Sequence, residues 1–148
     1  MSADLLFDIS QSIAMVGWAL IFFIPNWKSA SWLIMHLIIP ILLGLLYVGL
    51  LSYSLMTLNE AGGFGSLEEI RVLFKSDYGL LAGWVHYLAF DLFVGSWILR
   101  HSQEAGTPRW MIIPAQVFTL LAGPFGLLVY ALTHIIYHRK WFTVFPKK

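Results

Sequence analysis

Cysteine is absent from the 148 residues, which excludes a disulfide framework, a thiolate metal site and a cysteine nucleophile. Charge is scarce as well. Only 11% of the residues are Asp, Glu, Lys or Arg, against about a quarter in a soluble domain. Nine basic residues nearly balance eight acidic ones, for a formal net charge of +1, so the chain has no broad basic field to recruit nucleic acid. It has no His-Glu-x-x-His cluster, no P-loop lysine and no serine in a nucleophile-elbow context. Metal hydrolysis, nucleotide binding and serine hydrolysis therefore lack support. What remains is 59% hydrophobic and 16% aromatic, with a mean hydropathy of +0.76.

Four apolar stretches, at about 5–24, 32–58, 80–99 and 110–137, are long enough to cross a hydrocarbon core. The expected architecture is a single all-α integral membrane domain over residues 1–148, a bundle of four transmembrane helices. Pro40 is expected to kink the second span. The first stretch opens on Asp4 and Asp8 in place of a basic leader, so it is expected to stay in the mature protein. The few residues ahead of it leave no room for a transit peptide, which predicts a bacterial inner-membrane protein or an already processed chain.

Four crossings would put both termini and the loop between spans two and three on one side. That side would carry Arg71, Lys75, Arg139, Lys140, Lys147 and Lys148, against Lys28, Arg100 and Arg109 opposite. The positive-inside rule then predicts cytoplasmic termini. Trp27, Trp32, Trp110 and Trp141 lie at span ends, as interfacial anchors do. In the central loop, Gly62-Gly63-Phe64-Gly65 reads as a hinge, and Ser66-Leu67-Glu68-Glu69 spells a capping box. Leu67, Ile70, Leu73 and Phe74 then share a face, which predicts a short interfacial helix.

Ionisable groups inside a span are costly and point to function. Asp91 is the clearest case, close to the midpoint of the third span. Helical spacing puts Trp84, Tyr87, Asp91 and Gly95 on one stripe, with His86 offset by about 140°. Similar stripes run through Gln116, Thr119, Gly123, Gly126, Tyr130 and Thr133 or His134 on the fourth span. The second carries His36, Pro40, Gly44 and Tyr47, and the first Asp8, Gln11, Met15 and Trp18. These stripes are expected to face inward. Gln116, Thr119 and the glycines also suit plain helix packing, and His134 and His138 suit solvated anchoring at the end of the last span.

Gly83-Trp84-Val85-His86 followed by Phe90-Asp91-Leu92-Phe93, then Gly123-Pro124-Phe125-Gly126, with the loop from Phe64 to Phe74 upstream, resembles the small membrane-protein family named for the plant abscisic-acid-deficient mutant. The likeness runs from the first helix to the end of the fourth. The plant member is required for neoxanthin formation, so the resemblance implies carotenoid or isoprenoid metabolism.

That chemistry is an isomerisation of an epoxide to an allenic alcohol without electron transfer and without a cofactor. It needs a base near a polyene proton and a donor near the epoxide oxygen, in a site with little water. Asp91, His86 and Tyr87 are the candidate catalytic residues; Trp84, Phe90, Gln116, Thr119 and Tyr130 are candidates to bind substrate. The expected partners are membrane lipid and a carotenoid or other apolar isoprenoid. Binding such a molecule without turnover, as a carrier or accessory subunit, is the alternative. Haem between His36, His86 and His134 is a third option, although no pair has the spacing of a ligand set. An oligomer could build a path around Asp91.

Overall fold

A computed structural model of the chain describes residues 2–25, 38–58 and 62–139. Among them are five helices and no strand: α1 (Ala3–Phe23), α2 (Ile39–Thr57), α3 (Leu67–Lys75), α4 (Asp77–Ala105) and α5 (Arg109–His138). All but α3 are long and apolar enough to cross a membrane. The starts and stops are written in the side chains. Ser2 accepts the Leu5 N–H at 3.3 Å to open α1, and Ser76 accepts the Gly79 N–H at 2.9 Å to open α4. Gly106, at φ 72°, closes α4 in the left-handed conformation that a residue without Cβ adopts freely.

Helix α4 is the axis on which the others pack. Over half of its apolar window is buried (56%), about twice the share of α1 (28%) or α2 (22%). Small residues set the closest approaches. A methyl group at Gly95 would strike the Trp18 indole, one at Gly17 would meet Leu92, and one at Gly83 would strike the Phe74 ring. The inward face of α1 is accordingly Ser10, Ala14, Gly17, Trp18 and Ile21. This corrects the expected stripe: Trp18 is buried, but Asp8 and Met15 are exposed, because glycine contacts and not polar spacing decide which face meets α4.

On α2 the buried residues are Ile39, Leu43, Leu50 and Ser54, with Gly44 and Tyr47 half-buried beside them. Pro40 lies in the first turn of α2 as described, where its missing N–H costs nothing. The expected start of the second span, with Lys28, Trp27, Trp32 and His36, lies outside the described residues, as do Glu60, Lys140, Trp141, Lys147 and Lys148.

The short helix α3 begins where the capping box places it, with the Ser66 Oγ accepting the Glu69 N–H at 3.2 Å. The return bond differs by one residue, the Glu69 carboxylate taking the Gly65 N–H at 3.0 Å. Val72 and Leu73 face inward while Leu67 and Phe74 stay exposed. A shared hydrogen bond between Ser54 Oγ and Ser76 Oγ at 2.8 Å ties the end of α2 to the α3–α4 junction.

The fourth apolar helix does not run straight. Ala122 (φ −158°, ψ 50°) and Gly123 (φ 4°, ψ −77°) leave helical geometry, and Pro124 follows. Thirty helical residues would extend about 45 Å, yet the His138 Nε2 lies 2.9 Å from the Thr107 Oγ1, two residues before the start of α5. Tyr130 likewise reaches back to His101 near the end of α4, 2.6 Å away. A methyl group at Gly126 would collide with Thr119 across the reversal.

Helix α5 is therefore a helical hairpin that enters beside the C-terminal half of α4, turns at the level of Asp91 and returns to the end it came from. Non-helical backbone at that depth is tolerated where protein buries it, and Gly123 is buried. Arg109 fastens the base of the first arm, its Nη2 donating to the Ile21 and Phe22 carbonyls at 2.8 and 2.7 Å. One consequence corrects the charge count: Arg139 lies at the end of the bundle that holds Arg100 and Arg109, opposite Arg71 and Lys75.

Candidate functional site

Asp91 is the central residue of α4 and is 5% exposed. Its carboxylate lies over the α5 reversal, where any Cβ on residue 123 would overlap it. The two elements are made for each other. Departure from helical geometry turns the Gly123 N–H out of the α5 ladder, and Asp91 accepts it. One turn earlier on α4, the Tyr87 hydroxyl donates to the same carboxylate. Oδ2 of Asp91 has no hydrogen-bond partner among the described residues. An ionised carboxylate at a membrane centre costs about 3 kcal/mol on insertion scales. The Tyr87 hydroxyl and the Gly123 N–H offset that cost and still leave one oxygen available.

Tyr87 also lines a cleft of about 640 Å³ between α1, α3 and the start of α4. Its walls are largely apolar, with Phe7, Phe74, Leu80 and Trp84, and its outer rim carries Asp4 and Asp77. Trp84 is fixed there by donating to the Gln11 Oε1 at 3.2 Å, and it stacks on Tyr87 with ring centres 5.4 Å apart. Of the residues expected to act on substrate, the fold thus brings Trp84 and Tyr87 together in the wall of one cleft, with Asp91 buried one turn further along α4.

His86 lies elsewhere. Its ring sits 5.2 Å from that of Tyr47 on α2 and 4.6 Å from that of Phe90. Phe90 belongs to a second groove of about 590 Å³ between α2 and α4, lined also by Pro40, Gly44, Tyr47 and Phe93. The five-residue offset along α4 therefore separates His86 from Asp91.

The α5 residues fall into two groups. Gln116 and Thr119 are fully buried on the first arm. Thr119 satisfies its hydroxyl on the Ala115 carbonyl at 2.8 Å, whereas neither amide atom of Gln116 has a partner among the described residues. Tyr130, on the second arm, pairs with His101. His134 is 6% exposed and stacks between His101 and His138, at 5.1 and 4.5 Å. That burial corrects the expectation of a solvated anchor for His134 and follows from the hairpin, which returns the second arm along α4.

Sequence reasoning missed His101, Thr107 and the Gly123 N–H. Gly-Pro inside a helical stretch is a break signal, and it was the one available pointer to the reversal. Among the described residues no group of three His, Cys, Asp or Glu is disposed to hold a metal ion.

No curated protein and no solved structure matches the chain. Residues 5–130 match the family model described as ABA DEFICIENT 4-like, a stretch that runs from α1 through Tyr130 and takes in Asp91, Tyr87 and the Gly123 reversal, so the chain belongs to the ABA DEFICIENT 4-like family.

Proposed function

We propose that this membrane protein acts in carotenoid or isoprenoid metabolism as an intramolecular isomerase of an epoxy-carotenoid, with Asp91 and Tyr87 as its catalytic pair. The observation that carries the proposal is the free Oδ2 of a buried carboxylate whose other partner, Tyr87, opens onto an apolar cleft. A polyene end group entering that cleft meets Tyr87 in its wall, and reaches Asp91 one turn further along α4. Asp91 takes the proton from the polyene carbon adjacent to the epoxide. As that C–H bond breaks, the allene forms, the C–O bond opens and the oxygen takes the Tyr87 proton. The proton now on Asp91 returns to the phenolate along their hydrogen bond. Atoms balance and no electrons leave the substrate. The Gly123 N–H holds the carboxylate in place, and a dry site keeps the base strong.

The test is expression in a host that accumulates violaxanthin, alone and as Asp91→Asn and Tyr87→Phe. The expected result is neoxanthin with the wild type and its loss in both variants. A wild-type pigment profile identical to that of the empty host removes this reaction.

Binding without turnover is the second reading, favoured by the α2–α4 groove, whose lining residues are apolar apart from the Tyr47 hydroxyl. In that case an unaltered pigment co-purifies with the protein and Phe93→Ala releases it. The basic residues Arg100, Arg109 and Arg139 at the α4–α5 end outnumber Arg71 and Lys75 at the other among the described residues. By the positive-inside rule this excess supports a cytoplasmic α4–α5 end.

A further inference from the structure

Away from Asp91, the two halves of α4 differ in what they bury. Toward Asp77 the buried residues are Ala89, Leu88, Val85, Ala82, Leu81 and Gly79, with no polar side chain among them. Toward Ala105 they include Ser96, His101 and Ser102. Against that second half the α5 hairpin lays Gln116, Tyr130 and His134, all buried. The fully buried residues of α1, α2 and α3 include no titratable group, and Tyr47 of α2 is half-buried against His86. Tyr87 and the Gly123 N–H are the groups that act on Asp91 directly.

The polar groups of this seam reach the surface at the α4–α5 turn. His101 Nδ1 and Tyr130 OH share a hydrogen bond of 2.6 Å. The His101 ring lies 5.1 Å from that of His134, which lies 4.5 Å from that of His138. His138 in turn shares a 2.9 Å bond with Thr107 in the α4–α5 turn. Two groups along it have no partner among the described residues, Asp91 Oδ2 at the inner end and the amide of Gln116 on the first arm of α5. Packing alone would be better served by apolar side chains, since a buried polar group that lacks its bond is destabilising. Histidine, tyrosine and carboxyl groups in file inside a membrane are suited to passing protons.

We propose that the seam between the second half of α4 and the α5 hairpin is a proton path that connects Asp91 to the face of the membrane bearing the α4–α5 turn, and to that face alone. Each step exchanges one hydrogen bond for another, with water bridging where side chains do not touch, and nothing is oxidised or reduced. The apolar cleft beside Tyr87 approaches Asp91 from the other end, so an oily ligand and a proton reach the carboxyl by separate routes. The proposal does not depend on which ligand the cleft takes.

Dicyclohexylcarbodiimide modifies a carboxyl only in its protonated form, so its rate of reaction at Asp91, located by mass spectrometry and absent in Asp91→Asn, reports the proton. The full chain is placed in vesicles. Its orientation is read from Arg139→Cys with a membrane-impermeant maleimide, which is unambiguous because the chain has no other cysteine. The pH on each face is then varied separately between about 5 and about 9. The expected result is a rate that changes by up to about tenfold per pH unit with the pH at the Arg139 face and stays constant when the opposite pH is changed. His101→Leu flattens that response, and Tyr130→Phe, which keeps the ring packing, weakens it. A wild-type rate that follows the opposite face, both faces or neither overturns the proposal.

Discussion

The Thr107 hydroxyl and the His138 ring nitrogen lie 2.9 Å apart, 31 positions apart in the chain, and together they close the mouth of the α5 hairpin. That contact fixes the topology. With the last apolar helix returning to its starting face, α1, α2 and α4 are the described helices expected to cross the membrane.

Single cysteines separate this arrangement from four straight spans, and the background is clean because the native chain has none. Ser2→Cys and Arg139→Cys are expected to react with an impermeant maleimide from opposite faces of the membrane. Labelling of both from the same face contradicts the hairpin.

Two glycines of α5 hold the reversal by having no side chain. Gly123→Ala drives a methyl group into the Asp91 carboxylate, and Gly126→Ala drives one into the Thr119 backbone. Overpacking of this kind costs about 1–3 kcal/mol, and thermal unfolding in detergent should show a lowered midpoint for each. Gly49→Ala is the control: nothing lies within 4 Å of its added Cβ. Helix propensity there should raise stability by about 0.5–1 kcal/mol.

Arg109 joins the base of the hairpin to the end of α1 through two carbonyls that accept from a single guanidinium nitrogen. Hydrogen bonds from a charged donor contribute about 1.5–3 kcal/mol. Arg109→Ala should lower the unfolding midpoint clearly. Arg109→Lys should recover only part of the loss, because an ammonium lacks the planar fork. Equal midpoints for all three proteins would show the contact to be idle.

Ser76 does two jobs with one oxygen: it caps α4 and bonds Ser54. Ser76→Ala removes both and should cost about 1–2 kcal/mol. Ser54→Ala leaves the cap and should cost less. A double-mutant cycle measures the coupling, and strict additivity of the two losses would disprove it.

Much of this fold was legible in the residues. The four apolar stretches, the α3 helix with its Ser66 cap, the burial of Asp91 and the whole α5 stripe follow from periodicity and composition. The reversal of α5 was hidden for a physical reason. Gln116, Thr119, Gly123, Gly126, Tyr130 and His134 keep a three-or-four spacing, and all are buried. Spacing records which side of each arm faces α4 and says nothing of whether the second arm continues or turns back. With the reversal went the meeting of His101 with Tyr130, which no spacing within one helix can announce. The pairing of His86 with Asp91 was undecided on the page of letters, and helical phase decides it: Tyr87 is one turn from Asp91, and His86 faces Tyr47.

The glycine contact beneath Asp91 also bears on how the protein is made. The α5 turn exposes a backbone N–H at a depth where lipid offers no acceptor, and its acceptor is a side chain of α4. Synthesis delivers α4 first. The hairpin therefore emerges after the one group that can receive its tip, and its insertion is a docking onto α4 that a hairpin made alone could not complete.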